Sequence, residues 1–444
     1  MSLKNLAIIA SCITLSSSVF LSQPADGATF KVVEQSAVPQ DIVVGKSYQL
    51  ASAVLERDWQ IQVALPAGYE AAEASGKTYP VLYVLDGEWQ FSFVVSLAKR
   101  LANTGHLPGV IVVGIPREES DRGWFSARTP QSDQLLDFID KEVFAFIDGT
   151  FRTRDNRTII GWAYAGGMAL HSLVTRPEMF DAYVVSSAYP SATAGFRNVT
   201  KTTVEALEEK ITGLDSFKEF LYFGAATNED MVTTGSDTLA ATLKASAPRD
   251  MNWTYDVLPE EDHETTPFRI VPAALKSYFK DYQVLYYDTL ADYKTHGGVA
   301  TLEAYYEARA DKYGTNPVVD IRALAGAIRL GMAADDVDSV NQLVAEIDYK
   351  TITPDHAFRI GRFANFYMRN QHWDRATAAY QGLITILPTS IPAHIRLARA
   401  YEEAGKKAEE IATYKKAVVL AETQKDRRLE ALKEAVAELE LANS

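Results

Sequence analysis

The stretch Gly161-Trp162-Ala163-Tyr164-Ala165-Gly166-Gly167 follows a short apolar run, Thr158-Ile159-Ile160, and leads into a helix-forming segment from Met168 to Thr175. A catalytic serine is often presented on such a strand-to-helix turn, written G-x-S-x-G, whose small flanking residues let the strained turn close against its neighbours. Here the turn is present and the hydroxyl is missing, because Ala163 stands at the nucleophile position. His263 lies in a polar loop, Glu260-Glu261-Asp262-His263-Glu264, between the last strand-like run and a helix starting near Pro267. A histidine there would be the general base that takes the nucleophile's proton and later returns one to the leaving group. Its place in the chain order nucleophile, acid, histidine favours that role over a solvated loop residue. An oxyanion hole needs two backbone N–H donors aimed at the developing charge, and the residue after the nucleophile, Tyr164, supplies one.

These residues need a sheet to hold them. Tyr48 to Leu65 reads as two strands, with Glu56-Arg57-Asp58 at the turn and Pro66-Ala67-Gly68 closing the second. Apolar runs follow at Pro80–Leu85, Val110–Ile115, Thr158–Ile160, Ala182–Ser186, Phe220–Phe223 and Trp253–Leu258, separated by helical stretches that include Ser132–Ile147 and Thr238–Ser246. Continuous apolar strands between amphipathic helices predict a mostly parallel sheet covered on both faces.

The segments LERDWQIQVALPAGY (55–69), YPVLYVLDGEWQF (79–91), VIVVGIPR (110–117), IIGWAYAGG (159–167), FLYFGAATNEDM (220–231) and LPEEDHETTPF (258–268) together resemble the enterochelin-esterase and esterase-D-like branch of the α/β-hydrolases. The resemblance runs over about 240 residues, with several motifs in order. It implies an α/β-hydrolase sandwich and acyl transfer from carboxylic esters, siderophore trilactones and acylated sugars among them. It also implies that the acid comes from GAATNEDM, Glu229 first and Asp230 as the alternative, and that the second oxyanion N–H comes from the loop after Leu85-Asp86-Gly87, at Glu88 or its neighbour. One segment departs: where the family often carries an Arg-rich run, this chain has Asp121-Arg122-Gly123-Trp124-Phe125-Ser126. Trp89, Trp124 and Trp162 fall in loops expected at the carboxyl edge of the sheet, where ligands bind in open α/β folds, so each reads as a pocket wall or as core packing.

Ala163 admits three explanations: a disabled form of a serine esterase, a pseudoenzyme that binds through the inherited pocket, or an enzyme with another nucleophile. A retained His263 and acid loop share no purpose without a hydroxyl between them, which favours the first. Against the third, Tyr164 projects from the wrong position of the turn, and Ser186 and Ser187 belong to the next strand.

After about Tyr286 the pattern turns to helix after helix. Tyr380 and Tyr414 are 34 residues apart, as are Trp373 and Lys407, and Pro354 and Pro388. This period resembles the tetratricopeptide repeat, best from Ile395 to Leu420, moderately in the unit before it and weakly upstream of Pro354. Such helices either cap the hydrolase domain or offer a concave surface to a protein partner.

With 444 residues, more than one domain is expected. The expected order is a secretory signal over 1–27, an esterase-like domain over 28–285 and an all-α, tetratricopeptide-like domain over 286–444. Lys4, the apolar run Leu6–Leu21 and the small residues Ala25 and Ala28 read as a cleaved leader, hence export to the periplasm or medium, with the mature chain starting between Asp26 and Lys31. Ile9-Ala10-Ser11-Cys12 also fits a lipoprotein cleavage pattern, although the apolar run continues past Cys12. No other segment is apolar enough to span a bilayer. The net charge of −14 repels phosphate backbones, so nucleic acid is not an expected partner; a small-molecule ester is. Once the single cysteine leaves with the leader no thiolate remains, and the seven histidines show no ligand spacing, so neither a metal nor another cofactor is expected.

Overall fold

The computed structural model describes residues 41–125, 129–191 and 201–442, the side chains of 73–75, 119, 122 and 123 excepted. The expected leader and Cys12 lie outside these residues. Eight strands form one sheet: β1 (Lys46–Ser52), β2 (Arg57–Ala64), β3 (Tyr79–Leu85), β4 (Ile111–Ile115), β5 (Thr153–Trp162), β6 (Ala182–Ser186), β7 (Phe220–Ala226) and β8 (Trp253–Leu258), in the order β1-β2-β4-β3-β5-β6-β7-β8. The β1–β2 hairpin is antiparallel and β2 runs antiparallel to β4, while every pair from β4 to β8 is parallel. This is the mostly parallel sheet of an α/β-hydrolase sandwich.

Burial explains the arrangement. β3, β6 and β7 are buried along their whole length, which a strand achieves only inside a sheet covered on both faces. Side chains alternate between two cores. Val81, Tyr83 and Leu85 of β3 face one core with Leu135, Met168 and Leu239, whereas Leu82 and Val84 face the other with Val94 and Ile270. The second face is covered by α1 (Gly87–Asn103) and α7 (Thr266–Tyr278). The first is covered by α2 (Pro130–Phe138), α3 (Phe144–Thr150), α4 (Ala163–Thr175), α5 (Thr203–Ile211) and α6 (Asp230–Ser246). The expected helix Ser132–Ile147 is therefore α2 and α3, joined without a break through a π-helical turn at Ile139–Val143.

From residue 290 the described chain is all helical: α8 (Leu290–Thr295), α9 (Val299–Tyr313), α10 (Ile321–Ala333), α11 (Val337–Ala345), α12 (Ala357–Arg369), α13 (Trp373–Ile386), α14 (Ile391–Glu403), α15 (Lys407–Thr423) and α16 (Leu429–Leu441). α14 starts 34 residues after α12, and α15 starts 34 after α13; α10 and α11 precede α12 and α13 by 36. Each of these three hairpins turns on a left-handed residue two positions before its second helix: Asp335, Gln371 and Gly405. The next amide then donates back to the first helix, Asp336 N to Gly331 O, His372 N to Tyr367 O and Lys406 N to Tyr401 O, each at 2.9 Å. These are Schellman-type ends that satisfy carbonyls a helix would otherwise leave open.

The helical part is stitched to the sheet part. Val284 N donates to Gly105 O at 3.2 Å, Arg322 Nη1 to Asn103 O at 3.0 Å and Arg154 Nη2 to Lys312 O at 3.0 Å, while Tyr313 packs against Phe279. Gly105, at φ +75°, makes the approach possible: a Cβ there would sit 2.5 Å from Val284 Cγ2 and 2.6 Å from Arg322 Cζ. Asn103 ends α1 and Arg154 is the second residue of β5, so these contacts lie at the amino edge of the parallel strands. Among the described residues no helix is long and apolar enough to cross a membrane.

Candidate functional site

The parallel strands end in register. Trp162 of β5 pairs with Ser186 of β6, and Ala226 of β7 with Leu258 of β8. The segments that follow β3, β5, β6, β7 and β8 therefore gather along the carboxyl edge, beside the point where the chain reverses from β4 to β5 across β3. Ala163 follows β5 directly. It is 8% exposed and held at φ 52°, a left-handed conformation that disfavours a residue with a Cβ by about 1–2 kcal/mol. Gly161 makes the turn possible, because a Cβ at that position would lie 2.3 Å from Ala165 O. A residue held under such strain is one the surrounding structure over-determines.

His263 Nδ1 lies 2.5 Å from Glu229 Oε1, which leaves Nε2 as the ring nitrogen not engaged by that carboxylate. The histidine is tied to the elbow as well. Trp162 Nε1 donates to His263 O at 2.7 Å, and the two rings stand 5.0 Å apart. The Glu229 carboxylate is 7% exposed and fully engaged: its second oxygen accepts from Ala226 N and from Ser187 Oγ, both at 2.8 Å. Thr266 Oγ1 completes the support, 2.7 Å from Ser187 Oγ and donating to His263 O at 3.2 Å. Asp230 opens helix α6 instead, and the carboxylate that meets the His263 ring is that of Glu229.

The other anticipated residues are distributed as follows. Tyr164 stands in the first turn of α4 and Glu88 in the first turn of α1, so both backbone N–H groups belong to the positive ends of helices that start from neighbouring strands. Glu88 Oε2 accepts from Arg117 N at 2.9 Å, and Arg117 Nε reaches Asp86 Oδ1 at 2.5 Å, which fixes the loop after β3 against the loop after β4. Trp89 lies in α1 and not in a loop, 70% exposed. Trp162 is the last residue of β5, half-buried. Trp124 packs edge-on against Trp59 and adds to the core on the loop after β4. Tyr164 and Tyr189 stand 5.9 Å apart, and Tyr189 is 6.2 Å from His263; burial first, then Tyr164, Glu229 and Glu264, push the Tyr189 phenol up, so it stays protonated at neutral pH. No cluster of metal-ligating side chains occurs among the described residues.

Ser187, Thr266 and Tyr189 were not anticipated. Ser187 is fully buried at φ 49°, and its hydroxyl donates to Glu229, helping to hold that carboxylate in place. The hydroxyl pair Ser186-Ser187 at the end of a strand was the only signal in the sequence.

Residues 52–274, half of the chain, match the family described as putative esterase. The chain belongs to that family. The putative-esterase chain is 29% identical over 145 residues to a siderophore triacetylfusarinine C esterase of Aspergillus fumigatus, covering 29% of this chain and 50% of that protein. It is 28% identical over 159 residues to a siderophore enterobactin esterase of Emericella nidulans, covering 29% and 52%. It thus spans about half the length of the curated relatives it matches. Among solved structures, an IroE-like serine hydrolase from Shewanella oneidensis superposes with a TM-score of 0.51 at 22% identity, over 68% of this chain and 98% of that one. An uncharacterised protein from Capnocytophaga ochracea superposes with 0.53 at 16% identity, over 89% and 99%. At these identities the likeness is one of fold.

Proposed function

We propose that this chain carries a serine-esterase site complete except for the nucleophilic hydroxyl, so that it binds carboxylic esters and, as written, does not turn them over through an acyl-enzyme. The observation that carries the reading is the pairing of His263 with Glu229 at 2.5 Å, beside an elbow still strained at Ala163. A buried carboxylate with three partners fixes the orientation of the imidazole it meets, as the acid of a serine triad does. In the parental reaction a serine at position 163 attacks the ester carbonyl and passes its proton to His263 Nε2. The negative charge builds on the carbonyl oxygen beside Tyr164 N–H and Glu88 N–H, the alcohol leaves with the proton from His263, and water activated by the same base frees the acid. The two siderophore-esterase relatives support a polyester or acylated substrate with bulky groups, and the exposed faces of Trp89 and Tyr164 support contact with it. Export to the periplasm or medium is part of the proposal.

A second reading, a pseudoenzyme that acts as a binding or scaffold protein, is favoured by the helical part. Its hairpins recur at 34 and 36 residues, as tetratricopeptide-like units do, and they attach at the sheet edge away from Ala163, leaving their own faces available to a partner. The two readings part on one experiment. A fluorophosphonate probe should leave the chain unlabelled and label Ala163→Ser stoichiometrically; labelling of the unaltered chain at any residue contradicts the proposal, and a folded Ala163→Ser protein that resists the probe favours the scaffold.

A further inference from the structure

The first helices of the three repeated hairpins, α10, α12 and α14, carry seven arginines, no lysine and only two carboxylates, Glu402 and Glu403 at the end of α14. In a chain of net charge −14 this is a local reversal of sign. Position within the helix repeats as well. Arg362 and Arg396 are 34 residues apart and hold the same place in α12 and α14, while Arg329 of α10 and Arg399 of α14 hold the place three residues further on. Residues three apart are neighbours on one helix face, and all four of these arginines are exposed. α10 packs against α12, and Arg396 reaches over α12, its Nη1 3.5 Å from where a Cβ on Gly361 would stand. The arginines thus form one stripe across three hairpins.

Between α10 and α12 the stripe borders a cavity of about 160 Å³. Arg329, Arg359 and Arg362 line it with Met332, Phe363 and Tyr286, whose ring is 60% exposed, and no carboxylate lines it. Arg322 also reaches the cavity, but Asp320 takes it up, accepting from Nε at 2.8 Å and from Nη2 at 2.5 Å. Arg359 lies over the Phe358 ring, 4.9 Å from its centroid, and Arg399 is engaged by Tyr414 of α15. Arg329, Arg362 and Arg396 are different. Their side chains make no ion pair or hydrogen bond among the described residues, and their exposure leaves the guanidinium donors within reach of a ligand. Like charges one turn apart, as Arg359 and Arg362 are, repel and weaken a helix, whereas an acidic ligand turns the same charges to attraction.

We propose that this stripe docks an extended acidic segment of a partner protein, its carboxylates paired with Arg329, Arg362 and Arg396 and its aliphatic carbons against Tyr286 and Met332. Packed helices stand about 8–10 Å apart, so three of them spread the arginines over roughly 20 Å. A single small oxyanion meets one or two of them; an extended chain, rising about 3.3 Å per residue, covers the stripe with about six residues. The planar guanidinium matches carboxylate in bidentate geometry. A long polynucleotide meets repulsion from the rest of a chain of net charge −14, whereas a short segment feels chiefly the charges within about 8 Å at physiological salt. The surface gives the scaffold reading a partner, yet it is separate from the elbow and stands whether or not the chain hydrolyses esters.

Fluorescence polarisation of labelled hexaglutamate with the full chain tests this, with labelled hexaglutamine as the uncharged control. One saturable site is expected for hexaglutamate and none for hexaglutamine. Arg329→Gln, Arg362→Gln and Arg396→Gln change exposed positions and should keep the fold, which circular dichroism checks. Each should weaken binding about fivefold, the upper end for an exposed ion pair, and Arg329→Gln with Arg362→Gln about twentyfold. Arg249→Gln, at an exposed arginine of the sheet part, should leave binding unchanged. No saturable binding up to about 1 mM, or binding that the double variant retains, overturns the assignment. Single-stranded DNA or phosphatidylglycerol vesicles that bind through the same arginines while hexaglutamate does not would overturn it too, by giving the stripe to another polyanion. Ala163 takes no part in this measurement, so its failure leaves the ester-site proposal standing, and an unexpected fluorophosphonate result leaves this one standing.

Discussion

Gly161→Ala should be among the most damaging single-methyl additions in the sheet part. The added Cβ would lie 2.3 Å from Ala165 O, 2.6 Å from Ala165 C and 2.8 Å from Gly166 N. All three are backbone atoms in the first turn of α4, so no side chain can rotate out of the way, and the helix start must shift. Overpacking of this kind costs about 1–3 kcal/mol, and the rigid partners put this site at the upper end, about 3 kcal/mol. For a part of this size that corresponds to a fall of roughly 6–12 °C in Tm. Gly149→Ala is the matched control. Gly149 lies in α3 with nothing within 4 Å of a new Cβ, so helix propensity alone should stabilise by about 0.5 kcal/mol. Urea unfolding of both variants against the unaltered chain, with the slope unchanged, reads the difference directly. A loss below about 1 kcal/mol for Gly161→Ala would refute the claim that the elbow is closed by backbone contact at that residue.

Asp320 caps α10 and is held by Arg322; burial works to raise its carboxyl, but the Arg322 hydrogen bonds and charge prevail and place it below the ordinary 3.8. A folded value below the unfolded one means a contribution fully present above about pH 4 and lost as pH falls through the folded value. Asp320→Asn should therefore flatten the acid limb of stability and lower it at pH 7 by about 1–2 kcal/mol, measured by urea unfolding at pH 7 and pH 3. A chain ended at Leu285 lays open Phe279 and Tyr282, which α9 covers through Tyr313 and Arg309, at about 2 kcal/mol for each large side chain. It should melt well below a chain ended at Asn316, and identical melting would show that α9 adds nothing to the sheet part. On an Ala163→Ser background, Trp162→Phe deletes the bond to His263 O while keeping a ring, and kcat/KM should fall about tenfold; an unchanged value would mean that the bond does not position the histidine.

Continuous apolar runs revealed the strands because a strand buried on both faces has no polar positions to disguise it. β5 begins five residues before its apolar run, since Thr153 to Arg157 lie half-exposed beyond the core and carry polar side chains. The first two turns of α6, Asp-Met-Val-Thr-Thr-Gly-Ser-Asp, combine β-branched residues with glycine and hide their helicity. The α10–α11 hairpin stands 36 and not 34 residues before the next, so a search at fixed period loses it although its turn has the same left-handed residue. At the site, the resemblance of GAATNEDM put Glu229 ahead of Asp230; what the sequence does not carry is the register that brings Ala226 N, Ser187 Oγ and His263 Nδ1 to the first of these two carboxylates. The role of Thr266 is a product of tertiary packing between α7 and β6, and no local pattern announces it.

The central claim is that one missing hydroxyl separates this chain from an esterase. The elbow already accommodates Ala163, and serine adds a single oxygen beside Trp162, whose indole is tied to the His263 loop. Removing the nucleophile from a triad lowers turnover about 10⁶-fold, so restoring it should be visible even on a poor substrate. The measurement is hydrolysis of short-chain and bulky p-nitrophenyl esters by Ala163→Ser, alone and combined with His263→Ala. Activity that appears with the first change and disappears with the second is the predicted result. A folded Ala163→Ser protein that stays inert on every ester, or one whose activity survives His263→Ala, contradicts the account.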